Sequence, residues 1–330
     1  MDRARLTPRL AHFGLGSFHR AHQAVYTEIG NHASDGDWGI VAVAPGSTAT
    51  VAAMRAQDCF YSVTRQTARG ASTRVVASIV GALHARADSA QVQRLLENPA
   101  LAAVTLTITE KGYCRRPGVP TTSPLAASFP PASAPRGEAL AGEALAVDPQ
   151  IGNALAGQAG AGDTLAGDTL AGDRLAGEAP APGGLALDTG DPGIAADLAL
   201  AARGGQAPAT AIGHLAFGLA RRFRAHRIPL TLVSADNMTG NGPALRQVLL
   251  DFIAASAWPD SAAIAAWVAN EVCFPETIVD RIVPAPTDAA RDAAQAALGL
   301  RDQMAVACEP YRQWVIQDLF ATARPPWEAA

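Results

Sequence analysis

The amino-acid sequence predicts an α/β fold, a doubly wound parallel sheet, and three observations carry that expectation. Near-continuous apolar runs of strand length occur at Trp38 to Val43, Leu101 to Thr109 and Ile228 to Val233, the pattern of strands buried on both faces. Helical stretches separate them, as crossover connections between parallel strands require. The first strand-like segment, Arg9 to Phe13, runs directly into His12-Phe13-Gly14-Leu15-Gly16-Ser17-Phe18-His19, a glycine turn that opens a helix.

That turn organises the rest of the chain. Gly14 and Gly16 lack the Cβ atoms that would keep a backbone away from a pyrophosphate, and Phe18 to Ile29 reads as a helix whose N-terminal N–H groups and dipole suit an anion. The third position of a G-x-G-x-x-G fingerprint holds His19 instead of glycine. A dinucleotide cradle and an ordinary tight strand-to-helix turn are therefore both open readings of the motif alone. Trp38 to Val43 completes a βαβ unit. Its carboxyl end, Ala44-Pro45-Gly46-Ser47, lacks the acid that usually meets ribose hydroxyls. Arg55 further on is either a partner for a 2′-phosphate or a solvated helix-surface residue.

Thr48 to Gln57 reads as a short helix, and Tyr61 to Arg65 with Arg74 to Val80 as strands, joined as a hairpin across Ala68 to Ala71. Ser89 to Glu97 is helical, with Val92, Leu95 and Leu96 apolar. Leu101 to Thr109 then ends in Glu110-Lys111-Gly112-Tyr113, at the sheet edge where α/β folds bind ligands; Glu110 is a site residue or a solvated loop carboxylate. After Asp191, Ile194 to Leu200 and Thr210 to His226 are helical, the second ending in Arg221, Arg222, Arg224 and His226, cations suited to a helix C-terminus. Ile228 to Val233 leads into Ser234-Ala235-Asp236-Asn237-Met238, and Asn237 either donates to an oxyanion or caps the helix Pro243 to Ala255. Ile264 to Val272 is a further helix, before Phe274 to Pro284 and a tail through Trp314 to Trp327.

From about Pro120 to Gly190 the composition changes to Ala, Gly, Pro and Asp, with the five-residue repeat Thr164 to Asp168, Thr169 to Asp173 and Arg174 to Glu178. A stacked pentapeptide solenoid is rejected: the clean repeats are few, and acids stand where inward-facing small residues belong. The segment reads as a disordered insertion, an expanded loop; an interaction arm is a lesser alternative.

At 330 residues the chain has ample apolar content for a core. Its net charge of −4 and the lack of a basic cluster make nucleic acid a poor partner and a small molecule a better one. No signal-peptide pattern and no 18-residue apolar run occur, so a cytoplasmic protein is expected, without membrane association. Cys59, Cys114, Cys273 and Cys308 are scattered, which fits reduced thiols and offers no zinc site. His19 and His22 stand at metal-ligand spacing, yet no third ligand group accompanies them; they are expected as polar groups near the phosphates, and no metal is expected. Lys111 is the single lysine among 26 basic residues.

Five blocks together resemble one family: GLGSFHRAHQAVY (14 to 26), TITEKGYC (107 to 114), SADNMTGNG (234 to 242), FPETIVDRIVP (274 to 284) and CEPYRQWVI (308 to 316). Their order and content resemble the mannitol dehydrogenase family, zinc-independent polyol and hexuronate dehydrogenases that include mannitol dehydrogenase and fructuronate reductase. The resemblance covers residues 9 to 120 and 191 to 327 and is interrupted by the low-complexity segment.

What it implies is a Rossmann-like domain holding NAD, with NADP left open, and hydride transfer converting mannitol to fructose or fructuronate to mannonate. By the same resemblance Gly14, Gly16 and Phe18 would cradle the cofactor. Glu110 would exchange protons with solvent beside the active site, Asn237 would stabilise the developing alkoxide, and Asp280 would contact substrate hydroxyls. Glu276 stands where the family usually has asparagine, and Ala235 where cysteine is common.

The family's proton-transfer lysine, carried on a carboxyl-terminal helix in a K-x-x-x-x-N-x-x-H pattern, has no counterpart here, and Lys111 belongs to the TEKGY block. General acid–base catalysis is worth roughly 10² to 10⁴-fold, so the chain is expected to be an impaired, truncated dehydrogenase or, alternatively, a non-catalytic nucleotide-binding remnant. The expected division is residues 1–119 as the first part of the dinucleotide-binding domain, 120–190 as the insertion, 191–324 as the remainder, and 325–330 as a stub leading to a carboxyl-terminal helical domain. Glu309, Arg312, Trp314 and Trp327 would then face that domain, leaving apolar surface exposed.

Overall fold

The structure, a computed structural model, describes residues 2–116 and 186–330. Its first strand, β1 (Thr7–Phe13), lies in the middle of a five-stranded sheet. Next in the chain come α1 (Ser17–Ala21), α2 (Gln23–Ser34), β2 (Trp38–Ala44) and α3 (Thr48–Ala56), the last capped by the Ser47 hydroxyl, which accepts from Thr50 N–H at 3.1 Å. Strands β3 (Tyr61–Thr67) and β4 (Gly70–Val76) form an antiparallel hairpin, and β5 (Ile79–His84) follows. Then come α4 (Ser89–Glu97), β6 (Ala103–Leu106), the one-turn α5 (Thr109–Gly112) and β7 (Arg115–Arg116). Beyond the undescribed residues stand β8 (Ala186–Leu187), α6 (Pro192–Ala202), α7 (Ala211–Ala225), β9 (Thr231–Ser234), α8 (Asn241–Ala255) and α9 (Ser261–Glu271). The chain closes with β10 (Thr277–Asp280), α10 (Asp288–Leu298), β11 (Val306–Cys308) and β12 (Gln313–Ile316).

The main sheet has the order β5-β2-β1-β6-β9, all parallel. The chain moves outward in one direction from β1 to β5, then returns to place β6 on the other side of β1. That reversal is the topological switch point, and it lies between β1 and β6. A sixth position beyond β9 is reduced to a single parallel bridge, Thr231 with Cys273. The expected Rossmann-like doubly wound sheet is therefore what the chain forms.

Alternation along the central strands divides the core between the two faces. Ala11, Phe13, Val104 and Leu106 pack with α4, α7, α8 and α9 on one side, while Leu10, Ile40, Ala42 and Ala103 pack with α2, α3 and β3 on the other. Arg222, expected as a cation at the end of α7, is fully buried instead. Its guanidinium donates to the carbonyls of Leu96, Asn98 and Ile228 at 3.0, 2.6 and 3.2 Å, tying together the α4–β6 and α7–β9 connections at the amino end of the sheet.

Several sequence-based boundaries shift. The expected helix Phe18 to Ile29 breaks at His22, whose φ of −114° and ψ of −92° separate α1 from α2. Arg74 to Val80 is not one strand, because Ile79 onward leaves the hairpin to join the main sheet as β5. The apolar run 101 to 109 yields a strand of only four residues, since Thr109 already belongs to α5.

The tail also differs from expectation. Trp327 is 4% exposed, its indole N–H donating to Thr27 Oγ1 at 3.0 Å and its ring 4.7 Å from that of Trp314. Arg312 donates to Ala330 O at 2.6 Å, and Glu309 accepts from Ile282 N–H at 2.5 Å. These four residues thus find partners within the chain, because the tail folds back onto α2. Exposed apolar side chains near the tail include Ile278, Ile282, Tyr311 and Val315.

The strands β7 and β8 pair antiparallel as one short ribbon, Arg115 with Leu187 and Arg116 with Ala186. The expected disorder, the repeat and the interaction-arm reading lie outside the described residues. Among the described residues, no helix is long and apolar enough to cross a membrane.

Candidate active site

Polar residues gather at the carboxyl ends of β1, β6 and β9, around the switch point. Gly14 has φ +120°, and a Cβ there would stand 2.2 Å from Thr107 O and 2.5 Å from Thr107 Oγ1, so the β1 turn packs against the end of β6 only as glycine. Gly16 differs. Its φ of −88° suits any residue, it is exposed, and a Cβ would meet nothing nearer than Gly14 O at 3.9 Å. Nothing within the protein requires glycine there, so the open space above it fits a ligand backbone lying close against the turn.

Phe18, half-buried, stacks on the His22 ring at 4.8 Å. His19 and His22 are fully buried. The His19 ring lies flat on His12 at 3.4 Å, filling the place where a third glycine would allow the helix to approach the strand, and His22 bonds Gln313 O at 2.8 Å. The expectation that these two histidines meet phosphates is therefore corrected: ring stacking takes them into the core. Burial holds His12 and His22 at about 3 and about 4, far below the usual imidazole value, and both are neutral. Neutral His12 is held by Thr105 Oγ1 at 2.6 Å on Nδ1, with Gly14 O and Thr107 Oγ1 at 3.1 and 2.9 Å on Nε2. Among the described residues there is no group of three metal-ligating side chains.

At the end of β2, Ala44 to Ser47 present no carboxylate, and the Ser47 hydroxyl is engaged as a helix cap. Arg55 donates to Ala82 O and Asp88 Oδ2, each at 2.8 Å, which binds it to the β5 loop and neither frees it for a phosphate nor leaves it simply solvated.

Glu110 lies on α5, with its carboxylate 73% exposed and 3.7 Å from Arg115. Asn237 is exposed at the end of β9; the residue at the N-cap of α8 is Gly240, so the capping role considered for Asn237 falls away. Asp280 is exposed at the end of β10. A cleft of about 540 Å³ opens beside Asn237, with Met238, Glu276, Ile278 and Val315 in its walls.

A buried hydrogen-bonded layer behind these groups ties their elements together. Asp236 Oδ1 and Oδ2 accept from Thr109 and Ile108 N–H at 2.8 and 3.2 Å, joining the β6 and β9 edges. Asn241 donates to Asp236 O and Thr277 O at 3.1 and 2.9 Å and accepts from Thr277 N–H at 3.0 Å, joining β9 to β10. Glu110, Asn237 and Asp280 therefore stand one, one and three residues from members of a single network. Asp236, Asn241, Thr277, Thr107 and His12 were not singled out from the sequence. The available signal was polar residues placed inside otherwise apolar strand ends.

Comparison with known proteins agrees with this geometry. A family model described as the mannitol dehydrogenase Rossmann domain matches residues 8–329. The chain belongs to the mannitol dehydrogenase family. Within that family it is 33% identical over 332 residues to the uncharacterised oxidoreductase YeiQ of Escherichia coli (strain K12), covering 100% of this chain and 53% of that protein. It is 30% identical to the D-mannonate oxidoreductase of the same organism, covering 99% of this chain and 53% of that one. A Pseudomonas fluorescens mannitol 2-dehydrogenase, solved as a ternary complex with NAD and D-mannitol, superposes with a TM-score of 0.71 at 28% identity, covering 99% of this chain and 53% of that one. The chain spans about half the length of these mannitol dehydrogenase relatives.

Proposed function

We propose that this chain is the cofactor-binding portion of an NAD(P)-dependent oxidoreductase acting on a polyol or hexuronate. The observation that carries the reading is Gly16: exposed, unstrained and unobstructed, it leaves the backbone open to a closely approaching ligand at the switch point of a parallel sheet. The mannitol 2-dehydrogenase with which the fold superposes was solved with NAD and mannitol, which supports the same cofactor and substrate class here.

Bound at Gly14, Gly16 and Phe18, the nicotinamide cofactor would supply the acceptor for a hydride leaving the carbinol carbon. The protein's own residues would then manage charge and protons. The Asn237 amide donates to the substrate oxygen as negative charge develops on it. Glu110, exposed on its turn, exchanges the released proton with solvent. Asp280 accepts from neighbouring substrate hydroxyls. The β2 edge, with no carboxylate from Ala44 to Ser47 to meet the ribose hydroxyls and with Arg55 engaged by Ala82 O and Asp88, leaves NAD and NADP both admissible.

A non-catalytic nucleotide-binding role is the second reading. It requires only the open turn at Gly14 and Gly16 and assigns no chemistry to Glu110, Asn237 or Asp280. Titration of the chain with NADH and NADPH, followed by nucleotide fluorescence, tests the shared premise, and assays with mannitol and mannonate separate the two readings. Saturable NADH binding weakened at least tenfold by Gly16→Val is expected; no binding of either nucleotide would reject both readings.

A further inference from the structure

The turn that carries Glu110 begins in an unfavourable backbone conformation. Thr109 has φ +62°, a left-handed value that β-branched residues rarely adopt. Such a conformation persists only where its surroundings over-determine it. Here the Thr109 N–H is received by Asp236 Oδ1 at 2.8 Å and the preceding Ile108 N–H by Oδ2 at 3.2 Å, so one carboxylate grips two successive peptide groups. The same Oδ2 accepts from the Tyr113 hydroxyl at 2.9 Å, at the other end of the turn. Tyr113 is itself fully buried and 2.5 Å from Ser234 Oγ.

The carboxylate therefore holds both the entry and the exit of a five-residue arc whose second residue is Glu110. We propose that Asp236 is the positioning residue for Glu110, holding Thr109 left-handed and so fixing where the Glu110 side chain leaves the sheet edge. The proposal rests on the reading of Glu110 as the proton-exchanging group.

Its chemistry explains the choice of aspartate. An amide at this position offers one acceptor oxygen and turns its NH2 group toward either the Thr109 N–H or the Ile108 N–H beside Tyr113, so one of the two backbone donors loses its acceptor. The carboxylate is buried, and that desolvation raises its pKa against the opposing pull of the donated hydrogen bonds. The rival restraint on the turn is the β7–β8 ribbon at its far end, where Asp188 N–H donates to Cys114 O at 2.7 Å.

Three variants of the full chain, Asp236→Asn, Thr109→Gly and the double variant, distinguish these restraints. The readouts are backbone hydrogen exchange over residues 107–114 and the carboxyl carbon resonance of Glu110 in glutamate-labelled protein. Asp236→Asn is expected to speed exchange at Ile108 and Thr109 at least tenfold and to move the Glu110 resonance. Thr109→Gly alone should leave that resonance in place, because the carboxylate still sets the turn. In the double variant, glycine makes the left-handed conformation accessible without the clamp, so the Glu110 resonance should return toward its original position while exchange stays fast.

An unchanged Glu110 resonance in Asp236→Asn, or a double variant no different from that single one, overturns the proposal and assigns the turn to the ribbon. A resonance shift in Thr109→Gly alone, a variant expected to fold, overturns it independently. Failure of the unsubstituted chain to bind NADH would instead remove the oxidoreductase reading, and neither spectroscopic readout depends on that result.

Discussion

Gly14 and Gly16 are two residues apart, yet they answer to different demands. Gly14 is buried between its own turn and Thr107, where a side chain has no room; Gly16 faces open space, where a Cβ meets nothing nearer than Gly14 O at 3.9 Å. The same contrast separates Asn241, 1% exposed and bonded on both sides of its amide, from the exposed Asn237 four residues earlier. It also separates Asp236 from Glu110. The site thus has an inner layer that builds the sheet edge and an outer rim that the edge presents. A substitution in the inner layer should be felt as lost stability, and one in the rim as lost binding or turnover.

The largest expected effect comes from acid, which acts through three buried histidines, His12 on β1, His22 between α1 and α2, and His214 on α7. Burial holds His12, His22 and His214 at about 3, 4 and 4 in the folded chain, against an ordinary value of 6.5. A histidine whose folded pKa is depressed supports stability above its unfolded pKa and loses that support as pH falls below it. Each should withdraw about 1.4 kcal/mol per pH unit below the ordinary value. Urea unfolding midpoints should therefore drop steeply from pH 6.5 toward pH 4.5. A midpoint that is flat across this range would contradict the burial of three neutral rings.

Next in size is the glycine pair. Gly14→Ala forces a Cβ to within 2.2 Å of a backbone oxygen and should cost about 3 kcal/mol or more in chemical denaturation. Gly16→Ala should change stability by less than about 0.5 kcal/mol while weakening NADH binding. Equal stability losses at the two positions would erase the distinction between layer and rim.

The asparagine pair gives the smallest shift. Asn241→Ala removes the acceptor of Thr277 N–H and the donor to Thr277 O, at a cost of roughly 2 kcal/mol. Asn237→Ala should leave the urea midpoint within about 0.5 kcal/mol. In an assay with mannitol or mannonate, its defect should appear in kcat more than in KM, since the amide is assigned to the developing alkoxide.

The outer rim was the more legible half of the site. Glu110 and Asn237 draw notice because each follows an apolar run, while their roles, and Asp280 altogether, come from the family resemblance. Asp236 and Asn241 flank the same positions and look no different in one dimension. Their burial depends on β9 meeting the Ile108–Thr109 turn and β10, contacts between segments about 40 to 130 residues apart. His19 shows the same limit. Its sequence position belongs to a phosphate-binding fingerprint, whereas its ring stacks on His12 from the preceding strand.

By itself the sequence determined the parallel sheet, its principal helices and the edge at which polar groups gather. Those features follow from local periodicity, turn residues and strand length, which act over a few residues. Tertiary structure decided that His22 breaks the first helix, that β5 leaves the hairpin for the main sheet, that Trp327 folds inward and that Arg55 is tied to the β5 loop. It also decided which polar residues are buried. Burial and hydrogen-bond pairing belong to contacts between distant segments, and their energies exist only once those segments have met.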